Sequence, residues 1–341
     1  MHVHLVGSIG LDNVDEVFRT VGSLLGPHLR RIPDGEVGGR KLWISWQYPL
    51  LRASVFLQPD PSGAIRPTNR FPLLTLAEGV AADDVRFGEL GYAREARASY
   101  LDFVAARDNG ILPKNIRFQV CLPTPFAVVS SVVVPAARRA VEAAYESAML
   151  AEVAALCRHL PHRDLCIQWD VCNEMVLWDG QKTDAVPGAD VPREKLVERM
   201  RQLCAAVPDD VELGVHLCYG DFGARHFVEP KDAARMVEFA NALARSIARK
   251  LTYIHMPVPI GRSDDAFHRP LGGLELADGT ELFLGLVHAQ DGVEGTRARI
   301  AAARRHAPEF GIATECGMAR ARSEATVREL LQIHAEICRN G

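Results

Sequence analysis

No stretch of this 341-residue chain stays apolar for the roughly 20 residues that a membrane-crossing helix needs. A basic surplus is missing too. The 39 Lys and Arg face 43 Asp and Glu, a formal net charge of −4, so no cationic face offers itself to nucleic acid. The first residues, Met1-His2-Val3-His4-Leu5-Val6-Gly7-Ser8, have no cationic region ahead of an apolar core, and the expected location is the cytoplasm. Low-complexity tracts are absent, and with 48% hydrophobic residues the chain can bury a large core, so disorder is not expected. The eight Cys stand at irregular spacing, unlike a disulfide framework. Of these, Cys121, Cys157, Cys166, Cys204 and Cys338 read as small core or helix residues. Gly7-Ser8-Ile9-Gly10 is too short for the Gly-rich phosphate fingerprint that follows the first strand of a dinucleotide-binding sheet.

What the chain does have is alternation. Short apolar runs at 3–6, 29–32, 116–122, 165–171, 211–217, 251–254, 282–287 and 310–314 are separated by stretches of helical periodicity near 13–25, 43–50, 92–107, 135–160, 193–206, 230–250, 295–306 and 323–339. Eight strand-like runs alternating with helices predict an α/β fold of the (β/α)8 TIM-barrel type, a single domain over residues 1–341. Two longer segments, about 53–85 and 257–281, read as βα-loop insertions. The runner-up architecture is an open doubly wound sheet.

In such a barrel chemistry gathers where strands end. Those positions hold Ser8, Asp34, Glu36, Thr124, Asp170, Glu174, His216, Cys218, His255, His288, Asp291 and Cys316. His216 and Cys218 are i and i+2 at the end of one run, so on a strand both point to the same side. An imidazole and a thiol aimed at one point form half of a tetrahedral zinc site, and Cys316, at the end of the last run, is the proposed partner.

Several motifs carry a family resemblance. Val6-Gly7-Ser8, Ile167-Gln168-Trp169-Asp170, His216-x-Cys218-Tyr219 and Glu315-Cys316-Gly317-Met318 occur in this order, each at a strand end. Together they resemble the catalytic barrel of the cobalamin-independent methionine synthase superfamily, the zinc barrels that include uroporphyrinogen decarboxylase-like folds and coenzyme M transferases. The resemblance implies a zinc enzyme that activates a thiol for alkyl or methyl transfer. It implies His216, Cys218 and Cys316 as ligands. The fourth position is open, or held by His255, which stands where the family has a Glu ligand. Asp170-Val171-Cys172-Asn173-Glu174 replaces the family's Asp-Glu-Pro, and the second, N-terminal barrel of full-length methionine synthases is absent, so methyl-folate and homocysteine are not the expected pair.

Asp170, Glu174 and His288 are therefore candidate catalytic groups. Ser8, Asp34, Glu36, Arg262, Asp291 and Glu315 are candidate substrate contacts, and His216, Cys218, His255 and Cys316 candidate metal ligands, with Cys172 a spare. Trp43, Trp46 and Trp169 read as packing. Arg262 or Arg269, in the second long loop, is placed to clamp an anionic group. The expected partners are a small thiol and an alkyl donor, with a corrinoid protein as a candidate carrier. The alternatives are a zinc lyase or hydrolase with Asp170 or Glu174 as general base, and a non-catalytic barrel.

Overall fold

The computed structural model describes residues 1–65, 71–181 and 191–339. Among these, nine strands run in chain order: β1 (Arg31–Pro33), β2 (Leu57–Pro59), β3 (Leu74–Leu76), β4 (Arg117–Pro123), β5 (Leu165–Val171), β6 (Glu212–Leu217), β7 (Tyr253–Pro257), β8 (Glu281–Gly285) and β9 (Gly311–Ile312). Seven of them form one sheet in the order β1-β4-β5-β6-β7-β8-β9, and every neighbouring pair is parallel. Parallel strands covered by helices lose polar alternation, and all seven residues of β5 are buried. The helices show the complementary pattern. Val14–Leu25 starts at Asn13, whose side chain accepts from the Glu16 amide, and buries Val17, Phe18, Val21 and Leu25 on one stripe.

The two edges of the sheet are spanned by the chain's first residues. Val3 makes isolated parallel bridges to Leu29 on one side and Ile312 on the other. The Val3 amide donates to the His28 carbonyl at 3.0 Å, and the His4 amide to the Ile312 carbonyl at 2.9 Å. The run at 3–6 thus contributes bridges rather than the full strand expected, and the last run shrinks to the two residues of β9. The sheet is a curled seven-stranded one with this segment across its edges.

The insertions differ from plain loops. Within 53–85, β2 and β3 pair as an antiparallel hairpin, while residues 66–70 of that segment lie outside the described residues. Within 257–281, a short helix, Asp265–His268, is started by the Asp264 carboxylate, which accepts from the Phe267 amide at 2.9 Å. Two further helices went unanticipated, Pro125–Val132 and Asn173–Asp179. The first is capped by Thr124, and all eight of its residues are buried, so no polar face marks it as helical.

The interior is filled from β7. A Cβ on Gly214 of β6 would sit 2.0 Å from Tyr253 Cζ, so only glycine admits that ring beside it. Tyr253 Oη donates to Gln168 Oε1 at 2.8 Å. Gly214→Ala is expected to lower stability by about 1–3 kcal/mol through overpacking, read as a lower urea midpoint at unchanged slope. An unchanged midpoint would mean that Tyr253 can move aside. Toward the strand starts, buried Arg31 of β1 lies over the Tyr253 ring and pairs with Glu212 of β6 and Glu281 of β8. Arg117 of β4 and Arg30 complete the network, at 3.0 Å to Glu212 and 2.7 Å to Glu281.

Candidate metal centre and active site

Strand register assembles the site. Across three neighbouring strands Asp170 pairs with His216, and His216 with His255, so the three residues occupy one rung. Cys218, two residues past His216, points to the same side. Its backbone amide donates to the Val171 carbonyl at 3.0 Å, which ties the ends of β5 and β6 together. Cys316 arrives from the other edge, four residues after β9. The following Gly317 passes so close to Ser8 that a Cβ would lie 2.1 Å from Ser8 Oγ, and the Met318 amide donates to the Ser8 carbonyl at 2.6 Å. The outcome is that one donor atom from each of His216, Cys218 and Cys316 lies within 4.8 Å of the other two, all buried. The two sulfurs are 3.7 Å apart.

His216 meets a second imidazole. Its Nδ1 lies 2.7 Å from His255 Nδ1, a contact that holds one proton. With His216 as donor its Nε2 carries a bare lone pair, and that atom is buried without a hydrogen-bond partner. A metal-ligating histidine usually donates its other N–H in this way. His255, expected as the fourth ligand where that position is not open, is not one of the three-residue group, and its Nε2 is also buried without a hydrogen-bond partner. Burial pushes His255 down to about 3, so near neutral pH it is the uncharged acceptor that this geometry needs. His255→Ala is expected to weaken zinc binding about 10- to 100-fold by freeing the His216 ring, measured by chelator competition. Unchanged affinity would show that packing alone orients His216.

The thiols point the same way. Cys218 is pushed up first by its hydrogen bond with Cys172, and Cys316 first by its hydrogen bond with Cys218. Crowded, buried thiols stay protonated without a cation, and a divalent metal reverses that by binding the thiolates. The Arg320 guanidinium donates from Nη2 to Cys316 Sγ at 3.2 Å. It also lies over the Trp43 ring and 3.7 Å from Asp221, which is itself paired to Arg322 at 2.8 Å.

A cavity opens over these groups, and Ser8, Glu36 and Asp170 share its wall with His216, Cys218 and Cys316. Asp170 accepts from Gln168 Nε2 at 2.7 Å and Trp43 Nε1 at 3.2 Å. Burial raises Asp170 to about 7, and burial with the charge of Asp170 raises Glu36 to about 8. Near neutral pH this pair therefore holds at least one proton. Glu36 and Trp43 have positive φ, 48° and 53°, which is unusual for residues with side chains. Both lie at the cavity, where stored backbone strain often marks function.

The other expected site residues fall elsewhere. Asp34 is tied to Arg40 at 2.8 Å and accepts from Ser99 Oγ at 2.7 Å and from the Glu36 amide at 2.9 Å, so it supports Glu36 from behind the cavity wall. Glu174 is fully buried and does not line the cavity. Burial raises it to about 7. Asp291 is held by both arms of Arg299, at 2.6 and 2.8 Å, beside the helix Gly292–Arg304. Arg262 is engaged with Asp264 at 2.8 and 3.2 Å, and Arg269 is an exposed partner of Asp265. A second cavity, of about 500 Å³, is lined by Arg262, His226, His288 and Glu315, and shares Gly220, Asp221 and Cys316 with the first. There Glu315 lies 3.4 Å from His226 Nε2 and 3.5 Å from His288 Nδ1, and burial raises it to about 7. Burial lowers His288 to about 4, and its Nε2 meets the Val258 carbonyl at 2.9 Å.

Sequence reasoning passed over Arg320 and His226, and took Trp43 for packing alone. Arg320 had a usable signal, four residues after Cys316. His226 and Trp43 reach the site through irregular backbone that periodicity does not register.

No family model matches this chain, and no curated protein matches it in sequence. Solved structures do match. One is a B12-independent methionine synthase from Shewanella sp. in complex with selenomethionine, at TM-score 0.60 and 13% identity, covering 99% of this chain and 98% of that one. Another, from Listeria monocytogenes and described as a vitamin-B12-independent methionine synthase, matches at TM-score 0.56 and 13% identity with the same coverage. The chain has the α/β fold of the B12-independent methionine synthase-like proteins.

Proposed function

We propose that this protein is a zinc-dependent transferase that moves an alkyl or methyl group onto a thiol. The observation that carries the proposal is the convergence of His216, Cys218 and Cys316 within 4.8 Å of one another, with a partnerless ring nitrogen on the histidine. The likeness to methionine synthase-like folds supports it, as does a reading of the Val3 segment as the eighth position of a closed barrel. Two thiolates and a neutral imidazole suit zinc, which supplies a charge that keeps a substrate thiol deprotonated near neutral pH.

The chain's own residues do the rest. His255 orients His216. Arg320 holds Cys316 and balances negative charge on the sulfurs. Ser8, Asp170 and Glu36 receive the polar groups of the thiol substrate, and the proton shared by the two carboxyls lets one donate while the other accepts. Trp43, hydrogen-bonded to Asp170, walls the cavity against water. The second cavity gives the alkyl donor a separate seat beside Cys316, where a corrinoid protein could deliver the group.

The test is to measure zinc in the purified chain by mass spectrometry, then assay a panel of small thiols with methylcobalamin and methyl-tetrahydrofolate. The expected result is about one zinc per chain and a thioether product that disappears with chelation and returns with zinc. A chain that holds no zinc after refolding in its presence would overturn the proposal. A second reading, a zinc lyase or hydrolase, is favoured by the Glu36–Asp170 pair, which titrates near neutral pH as a general base should. It predicts turnover without any added thiol.

A further inference from the structure

One buried thiol at the site has no role in this scheme. Cys172 follows Val171 at the end of β5 and precedes the helix Asn173–Asp179. It is 2% exposed, packs with Cys218 and Cys316 in a cluster covered by Trp43 and Phe227, and lines the same cavity. Its side chain packs against that of Cys218. The bond from the Cys218 amide to the Val171 carbonyl keeps the two residues side by side.

We infer that Cys172, rather than His255, is the fourth and exchangeable donor of the proposed metal centre. The inference rests on the metal reading above and concerns which residues complete it. Three observations carry it. His255 Nδ1 is already committed to His216, and His255, although its Nε2 has no hydrogen-bond partner, is absent from the cavity wall that Cys172 lines. Cys172 stands next to Cys218 but outside the tightest three-donor group, which suits a ligand that joins by a turn of its side chain and leaves again.

The third observation is charge. A divalent cation with three thiolates and a neutral imidazole carries one net negative charge. The part-buried Arg320 guanidinium, 3.2 Å from Cys316 Sγ, balances it. With an imidazole in the fourth place the centre would be neutral. Arg320 would then depend on Asp221, 3.7 Å away and already paired more closely with Arg322. The three-thiolate centre gives this cation the fuller partner.

Exchange at Cys172 balances without an outside base. A substrate thiol would take the place of Cys172 on the metal and would pass its proton to Cys172 Sγ, which would leave the total charge of the centre unchanged.

The experiment counts sulfurs rather than turnover. Wild type, Cys172→Ala, Cys172→Ser and Cys121→Ala are loaded with cobalt(II). The thiolate-to-metal absorption is then compared, with zinc-edge X-ray spectroscopy on the zinc forms. Cys121 is a buried thiol that donates to the Val6 carbonyl away from the cluster, so its variant controls for loss of a core cysteine. The expected result is three sulfurs and one nitrogen in wild type and in Cys121→Ala. Both Cys172 variants should show two sulfurs, with the charge-transfer absorption down by about a third and metal still bound. Two sulfurs in wild type, or an unchanged count in Cys172→Ala, would overturn the inference and leave the zinc reading standing. A wild type that binds neither metal would overturn both.

Discussion

Cys218→Ser together with Cys316→Ser is expected to strip the protein of zinc, weakening binding by roughly a thousandfold or more. A four-donor zinc site binds with on the order of 12 kcal/mol, about 3 kcal/mol per donor. Losing two donors therefore costs several factors of ten, since each 1.4 kcal/mol is about tenfold. Serine keeps the volume and the hydrogen-bonding capacity but is not ionised at neutral pH, so the variant tests the thiolates and not the packing. Because both cysteines are buried at strand ends, the fold is checked alongside by circular dichroism. Metal content by mass spectrometry, before and after dialysis against a chelator, gives the result. Zinc retained at wild-type level in a folded double variant would move the metal elsewhere in the chain and remove the basis of the proposed function.

Arg31→Ala is expected to destabilise the fold by about 3–5 kcal/mol, the range for removing one partner of a buried ion pair. The side chain is 4% exposed and is the shared partner of Glu212 and Glu281. Its loss leaves two partly buried carboxylates with only Arg117 and Arg30 to hold them, and uncovers one face of the Tyr253 ring. Burial of the guanidinium opposes its charge, but the nearby anions outweigh this and hold Arg31 above its usual value, so it stays charged at every accessible pH. Urea denaturation at pH 7 measures the loss. A change below about 1 kcal/mol, the value of an exposed pair, would mean that water replaces the guanidinium.

The two parts of the molecule differ in how legible they were. β5 is a continuous apolar run bounded by polar residues, and its predicted limits, 165–171, are the observed ones. The His216-x-Cys218 spacing could be read as convergent because strand geometry fixes where i and i+2 point. Cys316 could be paired with them because parallel strands in one sheet deliver their ends to the same side. His255 could not be placed the same way. Register puts it on the rung of His216, but only the directions of the two rings decide whether it faces a metal or another imidazole. Arg262 and Asp291 carry suitable chemistry for a substrate contact, yet each meets an opposite charge close in sequence, Asp264 and Arg299, and a residue's place at a strand end or in a long loop does not register such competition. Trp43 depends on a kink inside Gly38–Gln47, where backbone angles depart from any periodic pattern.

The way the sheet edges are joined has a consequence for the order of folding. Val3 can bridge both edges only once Ile312, far along the chain, is in place. Contacts between such distant parts of a chain carry the largest closure cost and form late. Cys316 lies only four residues beyond Ile312, so the third metal donor arrives with the closing segment. A chain folded only as far as β6 holds His216 and Cys218 without Cys316, so capture of the proposed metal would await the closing contact.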